Sequence, residues 1–179
     1  TIGGASVSVL YSDNLGATAD RSDGGQDTTT VGATSSSSIG IQYPVGDTGL
    51  TIFGGTGTQG AATAATEVDH DTVGLKYVIG AITASYQQND LDRSGALENL
   101  EATIFWVSFS VNDDLSISYA RHETESSTAT TLDSTADGIS IAYSMGGASV
   151  KIQNNETSGS STSSTYAEDR TEVNLSLAF

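Results

Sequence analysis

An all-β, up-and-down antiparallel fold is what this sequence predicts, and three observations predict it. Apolar residues recur at every second position in ten separate stretches, the period of a strand with one greasy and one wet face. The connections between those stretches alternate between long and short along the chain, so the short turns gather at one end of the sheet and the long loops at the other. Twenty Gly, a single Pro and abundant Ser and Thr favour strands and turns over helices.

The first stretch, Ser6-Val7-Ser8-Val9-Leu10-Tyr11, places Val7, Val9 and Tyr11 on one side, and a polar run with Asp13, Asp20, Asp23 and Asp27 follows. Ile39, Ile41 and Tyr43 form the second strand, which turns between Pro44 and Gly49. Leu50 and Ile52 open the third, which is expected to dissolve into GGTGTQGAATAAT. Val73, Leu75, Tyr77 and Ile79 form the fourth, and after a tight turn at Gly80 the chain returns through Ile82, Ala84 and Tyr86. A polar connection is expected from Gln88 to about Leu100. Thr103, Phe105, Val107, Phe109 and Val111 make the most apolar stripe, Asn112-Asp113-Asp114 turns the chain, and Leu115, Ile117 and Tyr119 lead back. After a polar run from 122 to 137, Ile139, Ile141, Tyr143 and Met145 face one way. Gly146-Gly147 then turns the chain into Ala148, Val150 and Ile152. Residues 154 to 168 read as a last loop before Val173, Leu175, Leu177 and Phe179.

The 179 residues suffice for one domain, read here as a single β-barrel segment over 1–179. Six Lys and Arg against 22 Asp and Glu, a net charge of −16, argue against nucleic acid as a partner and favour cations. With no Cys there is no disulfide framework and no thiolate chemistry. No window approaches 18 consecutive apolar residues and no basic-plus-apolar leader opens the sequence, so neither a membrane helix nor a signal peptide is expected in it. Low hydrophobicity with high charge is also the mark of disorder, but the regular spacing of the apolar residues decides against that.

Alternation alone does not say what the greasy face meets: a dry core in a sandwich, or lipid around a barrel. Three features favour lipid. Tyr43, Tyr77, Phe109, Tyr143 and the final Phe179 lie on the apolar face beside the short turns, as a membrane-interface girdle would. All acids except Asp47, Asp113 and Asp114 fall toward the loop end. The strands can each be given about 9 to 11 residues, the length a tilted strand needs to cross hydrocarbon. The predicted architecture is a transmembrane β-barrel.

With EVNLSLAF ending on Phe179, the GISIAYSMGGASVKI hairpin and loops sided in this way, the sequence resembles the general, trimeric porins of Gram-negative bacteria, particularly the acidic α-proteobacterial type. The resemblance implies an outer-membrane diffusion channel. It also implies a barrel of about 16 strands, a homotrimer, contact with lipid and lipopolysaccharide, and an assembly-signal role for Phe179. Ile2-Gly3-Gly4-Ala5-Ser6-Val7 reads like the hairpin centre Met145-Gly146-Gly147-Ala148-Ser149-Val150. On that likeness the sequence is expected to be the carboxy-terminal portion of a longer barrel.

The expected pore-lining residues on the polar face are Lys76, Lys151, Gln42, Gln153, Asn174 and Ser108. The bland reading of the lysines is solvated side chains in a wide lumen. Trp106, Ile104 and Val78 fall on the same face and mark either an inward-folded loop or a local bulge. Asp69-His70-Asp71 and His122 do not promise the three or four convergent ligands of a metal site, so no metal, no cofactor and no enzyme is expected. Asp20 to Asp27 resembles a calcium loop but lacks alternating ligands and a closing Glu, leaving at most loosely bound divalent cations at acidic loops. Asp113 and Asp114, adjacent in a turn, point apart. Acids crowded at one end would concentrate cations within about 8 Å, so the expected channel is cation-preferring and passes small hydrophilic solutes and ions. The competing reading is a surface-exposed or soluble β-sheet adhesin or receptor-type binding protein.

Overall fold

The computed structural model describes residues 4–13, 35–59, 67–93, 99–127, 133–159 and 167–177, without the side chains of 12 and 13. Ten strands run in chain order: β1 Ser6–Asp13, β2 Ser35–Pro44, β3 Leu50–Gln59, β4 Val68–Ile79, β5 Ile82–Arg93, β6 Leu100–Ser110, β7 Leu115–Ser126, β8 Ser134–Met145, β9 Ala148–Gly159 and β10 Ala167–Leu177. They form one sheet in which each strand neighbours the next, the all-β up-and-down meander expected from alternation. Among the described residues there is no helix.

Short connections carry the turn chemistry that the sequence announces. Gly80 (φ 56°), Gly146 (φ 52°) and Gly147 (φ 93°) adopt the left-handed conformation that a tight hairpin demands. The Asn112 side-chain oxygen accepts hydrogen bonds from the backbone N–H of Asp114 and Leu115, both at 2.9 Å, closing the β6–β7 turn. Asp113 and Asp114 thus serve a turn. Gly4 (φ 86°) matches Gly147 in conformation, in line with the sequence likeness around them. Thr1, Ile2, Gly3 and Phe179 lie outside the described residues.

Where the structure departs from expectation, strands are longer at the loop end. β3 continues through Gly54, Gly55 and Gly57 to Gln59. Residues 88–93, 122–126, 134–137 and 154–159 are strand rather than loop. The reason is backbone pairing: hydrogen bonds to the next strand propagate through polar and small residues that carry no apolar signal. Strands of 8 to 12 residues result.

The chain divides into two compact units. One comprises Thr1–Leu75, Gln87–Ala102 and Ser126–Thr128. In it β1 pairs β2 and β2 pairs β3, with Val7 opposite Ile41 and Tyr43 opposite Ile52. The other comprises Lys76–Tyr86, Thr103–Glu125 and Ala129–Phe179. There β7, β8, β9 and β10 are joined in register, so that Ile117, Ile141, Ile152 and Val173 form one row and Leu115, Tyr143, Val150 and Leu175 the next.

Burial is inverted relative to a water-soluble sheet. Among the described residues only Val68 and Leu91 are buried hydrophobics, while most of the alternating Val, Ile, Leu and aromatic side chains stay exposed, up to 74% for Val9, and the rest of them are half-buried. All but Leu10 and Val78 of these exposed side chains lie on the apolar face. The buried Val68, Ser85, Leu91 and Thr124 all lie on the opposite, polar face. Leaving one such side chain in water forgoes about 1.5–3 kcal/mol. A whole domain is stable by only about 5–15 kcal/mol. A face of this size is therefore one that water does not cover.

Candidate functional site: the polar face of the sheet

Alternation places a second set of rows between the apolar ones. Ser118, Ser140, Gln153 and Glu172 form one such row across β7 to β10, and Ser116, Ala142, Lys151 and Asn174 form another. The Ser118 and Ser140 hydroxyls lie 3.0 Å apart, and the Gln153 amide donates to Glu172 at 2.6 Å. Arg170, two residues along the same face, forms an ion pair with Glu172. These groups satisfy one another laterally, Ser118 with Ser140 and Gln153 with Glu172.

All six expected pore-lining residues lie on this face. Lys151 stands directly opposite Asn174, and Gln42 stands opposite Ser6 and Phe53. Lys76 and Lys151 are exposed, and neither makes an ion pair among the described residues. Ser108 and Gln153 are half-buried. In the first unit the face is cut down to backbone by Gly40, Gly55 and Gly57. A cavity of about 450 Å³ opens there, lined by Ser6, Ser8, Gln42, Phe53 and Thr72 among others. Gly55 could not bear a side chain without displacement, since a Cβ would come within 2.9 Å of the Ile39 carbonyl oxygen. Trp106 and Ile104 are half-buried and Val78 is exposed, and strand parity keeps all three on the polar face. The four expected girdle aromatics, Tyr43, Tyr77, Phe109 and Tyr143, are exposed on the apolar face near the short turns.

The described strand acids lie toward the loop end, as expected, but mostly on the apolar face. Following strand parity, Asp69, Asp71, Asp90, Asp92, Glu101, Glu123, Glu125, Asp137, Glu156 and Asp169 continue the apolar face toward the loop end. Side-chain pairs agree with this: Thr58 donates to Asp69 at 2.7 Å, and Gln88 donates to Glu101 at 2.9 Å. Above the Tyr119, Ile139, Asn154, Thr171 row comes a row of Arg121, Asp137, Glu156 and Asp169. Arg121 bridges Glu123 at 2.5 Å and Asp137 at 3.7 Å, and the Tyr119 hydroxyl donates to Asp137 at 2.5 Å. On the polar face, described strand carboxylates are confined to Glu168 and Glu172, against Lys76, Arg93, Lys151 and Arg170. The acids crowded at the loop end, from which a cation preference was expected, thus leave few carboxylates on the polar face among the described residues. Asp20, Asp23 and Asp27 lie outside them.

Arg93 and Arg170 were missing from the expected set because Arg93 itself, and Asn155 facing Arg170, read as loop, whereas Glu172 lay in the expected last strand opposite Gln153 and was passed over. The signal that finds such residues is parity counted outward from the two-residue turn: Met145 opposite Ala148 fixes Asp137 opposite Glu156.

His70 and His122 are not brought into a catalytic set by the described residues. Asp69 and Asp71 point to the face opposite His70, and no group of three His, Cys, Asp or Glu that could hold a metal converges among the described residues. His122, half-buried opposite Ala136, has its Nε2 enclosed without a hydrogen-bond partner.

No protein-family model matches the sequence, and no curated protein matches it. Among solved structures the fold is similar to "Outer-membrane expressed OmpT of Vibrio cholerae", with a TM-score of 0.54 at 16% identity, over 79% of this chain and 55% of that one. The chain thus spans about half the length of that protein. The expectation that the chain is no enzyme is corrected here: a likeness of fold to OmpT leaves activity open, because one fold hosts unrelated functions, and two scattered histidines do not exclude catalysis. Taken with the bare apolar face, the comparison gives the chain the antiparallel strand fold of an outer-membrane β-barrel protein.

Proposed function

We propose that the chain forms wall of an outer-membrane diffusion channel of the general porin type, through which small hydrophilic solutes and ions pass. The observation that carries this reading is the inverted burial: alternating hydrophobics stand bare on one face, and rows of Ser, Gln, Asn and Lys occupy the other. Lipid is the medium that such an apolar face suits, and water the medium for the opposite one. Glycine-thinned wall at Gly40 and Gly55 adds width to the wet side. In this reading Lys76, Lys151, Gln42, Gln153, Asn174 and Ser108 line the pore, Tyr43, Tyr77, Phe109 and Tyr143 sit at the membrane interface, and Phe179 serves assembly. Homotrimers in contact with lipopolysaccharide go with the porin resemblance.

Purified protein added to a planar lipid bilayer is expected to produce stepwise conductance increments, and proteoliposomes to swell in small sugars. Protein that stays monodisperse without detergent and never conducts would remove the channel and favour a soluble binding module.

A further inference from the structure

We propose that the channel selects small inorganic anions over cations, against the sign of the chain's net charge of −16. The inference rests on the diffusion-channel reading above and specifies what that channel favours. Selectivity is set by charges that face the permeating ion, and the sheet sorts its charges by face. Described strand carboxylates at the loop end mostly continue the apolar face, whereas among the described basic side chains all but Arg121, namely Lys76, Arg93, Lys151 and Arg170, stand on the polar face.

Height along the strand sharpens this asymmetry. Lys76 lies between Leu75 and Tyr77, and Lys151 between Val150 and Ile152, level with the apolar rows that would cross hydrocarbon. One row up from Lys151 stands Glu172, opposite Gln153, and it is engaged by Arg170 and Gln153. The two lysines are exposed and without ion pairs among the described residues, so their charge acts on whatever passes. A carboxylate on the other face acts only through the sheet, screened on the scale of about 8 Å in salt.

The test is the reversal potential of the protein in planar bilayers across a KCl gradient. Wild-type protein is expected to favour chloride over potassium. Lys151→Glu and Lys76→Glu should each lower the chloride-to-potassium ratio roughly two- to threefold, with Lys151→Gln giving a smaller shift of the same sign. Glu156→Gln on the opposite face should leave the ratio unchanged. A potassium-selective wild type with ordinary conductance overturns the proposal and leaves the channel standing. Absence of any conductance overturns the channel itself, and the proposal with it.

Discussion

Ile141 and Ile152 face each other across β8 and β9, and 43% and 45% of their surfaces remain open. Cross-strand pairing of this kind normally ends under a second layer, and here none of the described elements supplies one. A charge placed in this row should be resisted by lipid and not by packing. Ile141→Arg is expected to destabilise the lipid-embedded protein by about 2–4 kcal/mol, whereas Ser140→Arg, one residue away on the wet face, should cost less than about 1 kcal/mol. Urea titration in lipid vesicles measures both. Equal losses would mean that the two faces do not meet different solvents.

Glycines with the same backbone sign should respond differently to one methyl group. Gly46 (φ 54°) has open space around its missing Cβ, while at Gly159 (φ 72°) that Cβ would collide with the Asp133 carbonyl oxygen. Gly46→Ala carries only the left-handed strain of about 1–2 kcal/mol. Gly159→Ala adds overpacking of about 1–3 kcal/mol at the start of β8. Comparison of the two urea midpoints checks the difference.

Much of the fold was legible because hairpins announce themselves twice, by alternation and by turn residues. Val73 to Ile79, Gly80 and Ile82 to Tyr86 formed a β4–β5 hairpin with its turn where expected. What escaped was the polar continuation of each strand. Asn154 and Glu156 carry no hydrophobic period, yet backbone pairing with Ile139 and Asp137 keeps them in the ladder. The electrostatic site followed from that error: once Asp137, Glu156 and Asp169 are strand residues, parity assigns them a face, whereas as loop residues they contributed only to a total charge.

Glu156 stands between two other carboxylates, opposite Asp137 on β8 and opposite Asp169 on β10. Arg121 engages Asp137, and the Asn154 amide donates to Asp169 at 2.7 Å, but neither Arg121 nor Asn154 stands opposite Glu156 in the register. Like charges directly opposite are unfavourable, so Glu156→Gln should stabilise the protein by about 0.2–1 kcal/mol at low salt. At 1 M salt, where the screening length falls to about 3 Å, the gain should shrink toward zero. A destabilised variant at low salt would show that Glu156 is held by a partner of opposite charge.

The single tryptophan reports directly on sidedness. Trp106 is half-buried on the polar face of β6, and its neighbour Phe105 is exposed on the apolar face. In vesicles containing lipids brominated along the acyl chain, quenching requires close approach of the indole to bromine. Wild-type fluorescence should therefore be weakly quenched, and Phe105→Trp combined with Trp106→Phe should be quenched strongly. Successive strand residues point to opposite faces, so moving the indole by one position changes its solvent without changing its depth by more than about 3.4 Å. Strong quenching of the wild type with none in the moved variant would place lipid against the serine-rich face, and both the pore lining and the anion selectivity would fall with that result.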